Sequence, residues 1–431
     1  MNLSCPLPFI LFFLQLGSVH AANEPIDPTT LSGKVVCGYQ GWFMAPGDGN
    51  PASVGWRHWS RSKNNVGPGL YTVDLWPDVS EYDPDELFDA TDVVLLDGSR
   101  GRLFSSVTPK TVSRHFRWMQ EYGIDGVFPQ RFVSELGDPR FFAIRNKVLE
   151  NVMSSAEEHG RVFALEYDTS GTPPDELYER ITEDWRYLVD HYDLTHHPRY
   201  LHHNGKPVLE IWGLGFEDRG HSPAAAAQLI DYLHNDPVYG GNLLIGGVPT
   251  YWRTLKADSD SDPAWASVYR SWDILNPWMV GRFRDSSGMQ NFVRDVWTGD
   301  LEEVRSLGIG YLPVAWPGFS WDNLMRLPPD TSLIPRRGGD FFWKQVHALI
   351  GLEVDMLFVA MFDEVDESTA IFKVSENHPV TDHWVTFEGL PADWYLRLAG
   401  VAGKMLRGEI PLSDTIPIGP NSTSVESWRL Y

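Results

Sequence analysis

The sequence predicts an α/β chain folded as a single (β/α)8 TIM barrel with a long insertion after its first strand. Three observations lead there. Short apolar runs alternate with helical stretches, the runs number eight, and polar and aromatic residues gather where the runs end. Strands are expected at 34–43, 123–132, 161–168, 206–212, 242–249, 273–280, 310–316 and 355–363. Helices are expected between them at 108–121, where Thr and Pro make a start signal, and at 139–159, 174–192, 222–234, 289–306 and 339–351. A closing helix is expected at 392–407, with Gly408 as its C-terminal cap. Residues 44–109 are too many for a plain βα connection and include Trp56, Trp59, Tyr71 and Trp76, so this stretch is expected to fold over the barrel mouth.

The apolar run at 8–14, followed by Val19-His20-Ala21, fits a signal peptide over 1–21, although no Lys or Arg precedes it. The expectation is a protein secreted or delivered to the periplasm, with the barrel over 22–410 and a Pro- and Ser-rich tail over 411–431. The run is too short for a permanent membrane anchor. Cys5 lies within the signal, which leaves Cys37 alone in the remainder and no pair for an intrachain disulfide. A formal net charge of -23 argues against nucleic acid or an anionic membrane as partner. Eighteen Trp and an aromatic content of 13% suit stacking against the faces of sugar rings, though most aromatics in any protein are core. A carbohydrate partner is therefore expected, and the oligomeric state is left open.

The segment VFALEYDTSG, residues 162–171, carries the most chemistry. It reads as a short strand ending in two carboxylates, Glu166 and Asp168, on one face and about 6.5–7 Å apart at their Cα atoms. Acid and base carboxyls at the C-terminal end of a barrel strand are what glycoside hydrolysis needs. The other strand ends supply GYQGWF at 38–43, PQRF at 129–132, LEIWGLGF at 209–216, VPTYW at 248–252, NPWMVGRF at 276–283, AWPGFSW at 315–321 and MFDEVDESTAIF at 361–372. From them Tyr39, Trp42, Arg131, Glu210, Trp212, Tyr251, Trp278, Trp316, Trp321 and Glu367 are candidate substrate-binding residues. Glu166, Asp168, Asp363 and Glu364 are the candidate catalytic ones, with Asp168 preferred over Asp363 and Glu364 as the partner of Glu166. No metal site or cofactor is expected. His196, His197, His202 and His203 precede the turn signal Asn204-Gly205 and so fall at the opposite, N-terminal face, without zinc-type spacing.

The succession GYQGWF, WRHW at 56–59, GIDGVF at 123–128, ALEYD, GKPVLEIW and MFDEVDESTAIF resembles the glycoside hydrolase family 71/99-like group, which includes endo-α-mannosidases and α-1,3-glucanases. The resemblance covers roughly 34–375 and implies a TIM barrel without a cofactor. It also implies two glutamates three residues apart, one acting as base toward the sugar 2-hydroxyl and the other protonating the departing oxygen, and a glutamate-rich segment on the last strand. Carried onto the strand ending ALEYD, the first glutamate is Glu166 and the second position holds Thr169, which can serve as neither acid nor carboxylate base.

The leading expectation is a secreted glycoside hydrolase acting on an α-linked oligo- or polysaccharide. Two rivals stand beside it: a carbohydrate-binding barrel without catalysis, which Thr169 favours, and a pentoside-cleaving exo-glycosidase.

Overall fold

The computed structural model describes residues 25–421. The expected signal at 1–21 and the end of the expected tail, 422–431, lie outside them. The core is a parallel curled sheet with helices packed on its outer face. Its strands are Val35–Tyr39, Gly126–Phe132, Leu165–Asp168, Lys206–Trp212, Leu243–Val248, Ile274–Pro277, the short pair Gly310–Tyr311 and Val314–Ala315, and Leu357–Val359. Each pairs in parallel with its neighbour, and the first also pairs with the last. Gly310–Tyr311 pairs with the sixth strand and Val314–Ala315 with the eighth.

Several strands are shorter than the sequence suggests. The seventh breaks at Pro313, which has no N–H to give to a ladder. The eighth covers Leu357–Val359 rather than 355–363, so the acidic segment beyond it is loop. The helices follow the expected order as Pro109–Tyr122, Pro139–His159, Leu177–Tyr192, Pro223–Asn235, Asp340–Gly351 and Trp394–Leu406. Three of them begin at a proline whose missing N–H costs nothing in a first turn. The helix expected at 289–306 is instead Ser286–Phe292 and Thr298–Leu307, joined by a wider turn at Val293–Trp297.

The stretch between the first strand and helix Pro109–Tyr122 is folded, and its Trp56, Trp59, Tyr71 and Trp76 are buried. It carries an antiparallel ribbon, Leu87–Val94 with Arg100–Phe104. It packs against the segment that follows the last strand. Asp74 N donates to the carbonyl of Val365 at 3.0 Å, and Asp78 N to that of Lys373 at 3.0 Å. Cys37 is buried in the first strand. Among the described residues no helix is long and apolar enough to cross a membrane.

Candidate active site

Hydrogen bonds decide which face of each strand is inner. The Tyr167 hydroxyl donates to Asp184 of helix Leu177–Tyr192 at 2.6 Å, and Arg131 donates to the same carboxylate at 2.6 and 2.5 Å. Tyr167 and Arg131 therefore face the helices. Alternation turns Gln130, Phe132, Glu166 and Asp168 to the inner face. The parallel register then aligns two rows there. The deeper row runs Gln130, Glu166, Glu210, and the row one pleat nearer the strand ends runs Phe132, Asp168, Trp212, Gly247, Asn276.

Above these rows stands the segment after the last strand. Asp363 accepts from the backbone N–H groups of Gln40 at 2.8 Å and Gly41 at 3.0 Å. Glu364 accepts from the Gln40 side-chain amide at 2.7 Å and from the Thr369 hydroxyl at 2.7 Å. Asp366 lies 3.4 Å from His58, which is stacked on Trp42, and Trp42 in turn stacks on Phe132. Glu367 is half-buried, and its carbonyl accepts from Ser320 N at 2.9 Å beside Trp321.

Seven acidic side chains thus converge on one end of the sheet, and their proton affinities rise together. Burial is the first cause for every one. Like charge adds to it: Glu210 and Asp168 raise Glu166, Glu367 and Asp366 raise Glu364, and Asp168 raises Glu367. Asp363 is pushed up to about 6 and Glu367 to about 7. Glu166, Glu210, Glu364 and Asp366 lie well above the usual carboxylate range.

The site also holds buried polar atoms without protein partners. They include Glu166 Oε2, Glu210 Oε2, Asp366 Oδ1, the side-chain oxygens Oε1 of Gln40 and Gln130, Asn276 Nδ2 and Thr169 Oγ1. Such atoms are costly unless something binds them. Their concentration at the carboxyl end of the sheet marks a polar binding place. Among the described residues no group of three or more His, Cys, Asp or Glu is disposed to hold a metal ion.

Four residues expected in the cleft lie elsewhere. Arg131 faces the helices, as above. Tyr39 is fully buried and bonded to His115 of helix Pro109–Tyr122 at 2.9 Å. Trp316 is sealed against Phe341 of helix Asp340–Gly351 and against Phe283. Tyr251 lines a different cavity of about 440 Å3, formed by the segments after the fifth and sixth strands together with Arg253 and Arg282. Trp42, Trp212 and Trp278 remain at the mouth, Trp212 and Trp278 meeting edge to face at 5.4 Å. The histidine group sits at the other end, where His202 and His203 pair with Pro207 and Lys206 at the start of the fourth strand. Sequence reasoning missed Gln40, Gln130, His58 and Asn276. Gln130 and Asn276 stand inside the strand-end motifs, and the register shows what they face.

Comparison with solved structures follows this geometry. The GH99 endo-α-mannosidase from Bacteroides thetaiotaomicron superposes with a TM-score of 0.64 at 15% identity, over 88% of this chain and 99% of that one. The chain shares the fold of that enzyme. A glycoside hydrolase-like protein gives 0.50 at 14% identity, over 78% of this chain and 93% of its own. No family model and no curated protein matches the sequence. Two glutamates three residues apart, the spacing that Glu166 and Thr169 lack, stand at Glu364 and Glu367 in the segment after the last strand.

Proposed function

We propose that the sheet closes as a (β/α)8 barrel and that the protein is a secreted glycoside hydrolase cleaving an α-linked oligo- or polysaccharide, with Glu364 and Glu367 as its acid/base pair. The observation that carries the reading is the convergence of buried carboxyls, with Glu364 held by Gln40 and Thr369 and Glu367 beside it in the same segment, on a cleft whose buried polar atoms lack partners. The short break between Tyr311 and Val314, whose flanks pair with the sixth and eighth strands, supports closure of the barrel.

Hydrogen bonding separates the two roles. Glu364 accepts from Gln40 and Thr369, which fixes its oxygens as a base or nucleophile requires and offsets part of the rise that burial and the neighbouring acids impose on it. No described donor reaches the Glu367 carboxyl, which is half-buried and titrates near 7. A carboxyl of that kind is about half protonated at pH 7 and, in that form, can pass its proton to the departing glycosidic oxygen. The pair titrates as a unit, and the form carrying one proton is the working one. In this arrangement Glu166 and Asp168, first in line on the sequence alone, line the sugar site, and the charge of Asp168 raises Glu367. Trp212 and Trp278 offer aromatic surface for the sugar rings, while Trp42 already stacks on His58 and Phe132. The likeness in fold to an endo-α-mannosidase supports an α-linked substrate.

The test is release of reducing ends from a panel of α-glucans and α-mannans by the wild type, Glu364→Gln and Glu367→Gln. Cleavage by the wild type, lost by orders of magnitude in both variants, is expected. Sugar binding without cleavage in the wild type would replace the hydrolase with a carbohydrate-binding barrel.

A further inference from the structure

We propose that Glu166, Glu210 and Asn276 form a hydroxyl-binding floor that receives one ring of a neutral sugar at the base of the cleft. The inference rests on the reading of this cleft as a carbohydrate site and adds what its deepest part selects.

Glu166 and Glu210 are partners in register on adjacent parallel strands, so their Cα atoms are about 4.8 Å apart and their side chains run side by side on the inner face. Both are 1% exposed. Glu166 receives one hydrogen bond, from the Gln130 amide at 2.8 Å, and no described donor reaches the Glu210 carboxyl. Among the described residues no cation pairs with either. Around them stand Asp168 on the same strand and Glu364 above, both acidic, while Arg219 and Arg145 act on Asp168 instead. Two unscreened carboxylates at this separation cannot both be ionised cheaply, so the pair holds a proton.

A second observation points to a ligand. Asn276, one row higher and 1% exposed, has an amide nitrogen with no partner. Together the floor offers acceptors at the Oε2 atoms of Glu166 and Glu210, an acid proton and an amide donor. That mixture matches sugar hydroxyls, each of which donates and accepts. The two rows differ in depth by about 6.5 Å, roughly the span of one ring. The surrounding acids repel a uronic acid, and the shared proton lowers the attraction for an amino sugar.

Two measurements test this. The first is the pH dependence of Tm. Glu210→Gln keeps the shape and the hydrogen-bonding capacity but cannot ionise, so its Tm should rise relative to wild type between pH 5 and pH 8, whereas Glu217→Gln on the surface should track wild type. The second is calorimetric titration with nigerose, α-1,3-mannobiose and digalacturonate in the Glu367→Gln background, where cleavage is silenced. Adding Asn276→Ala should weaken the neutral disaccharides about tenfold, and digalacturonate should not bind. Parallel Tm curves, unchanged neutral-sugar affinity after Asn276→Ala, or tight uronate binding would each overturn the floor. Failure of the wild type to cleave, with these binding effects intact, would remove only the hydrolase reading.

Discussion

At the scale of single residues, Glu367 sets the expected pH response. A general acid must carry its proton, so the rate should fall as pH rises through about 7, where this carboxyl gives its proton up. A kcat/KM profile against pH checks this, and a rate that climbs steadily to pH 9 would refute it. Glu367→Gln removes the proton donor, and a loss of about 10²–10⁴-fold is expected. Gly247 makes a different kind of demand. A Cβ there would lie 2.4 Å from Cδ1 of Trp212 and 2.8 Å from its Cα, so no side chain fits without moving Trp212. Gly247→Ala should cost about 1–3 kcal/mol of stability and shift the tryptophan emission. An unaltered spectrum and Tm would show that Trp212 does not depend on that space.

At the scale of elements, the second strand is tied to helix Leu177–Tyr192 by Arg131 and Asp184, a forked ion pair with both side chains 2% exposed. Arg131→Ala would leave Asp184 buried without its cation, and about 3–5 kcal/mol of destabilisation is expected by urea unfolding. A further Asp184→Asn change should recover part of it. Had Arg131 bound substrate, the variant would instead keep its stability and lose affinity. The misplacement of Arg131, Tyr39 and Trp316 has one cause. Strands buried on both faces read as continuous apolar runs, so nothing in their composition tells which alternate residues face the helices. The order of strands and helices was legible because the switch between periods of two and 3.6 is strong. Strand ends were not, since Pro313 splits one strand and the eighth stops at Val359, four residues before Asp363. That early stop explains why the acidic segment was visible in the sequence while the pairing of Glu364 with Glu367 was not. Two residues three apart share no face of a strand, but in a loop they converge.

At the scale of the whole molecule, the acidic site works against stability at neutral pH. All seven of its carboxyls, Glu166, Asp168, Glu210, Asp363, Glu364, Asp366 and Glu367, hold protons more tightly folded than unfolded. Their stabilising contribution is present below about pH 4, the unfolded value, and is lost as pH rises through the folded values, about 6 for Asp363 and about 7 for Glu367. Glu135 runs the other way. Arg145 and Arg57 hold its pKa down, so its contribution is lost as the solution becomes acidic. Tm should therefore peak at mildly acidic pH and decline towards pH 8, with the net charge of -23 adding repulsion. A scan by differential calorimetry checks this, and a maximum at pH 8 would contradict it. The break in the seventh strand has its own consequence. Leu312 N donates to Leu275 at 2.8 Å while the Pro313 carbonyl accepts from Phe358 N at 3.0 Å, so this short segment hands the ladder from one neighbour to the other with few bonds to either. It is a seam. In native-state hydrogen exchange, the amides of Leu312 and Phe358 should lose protection before those of the first four strands.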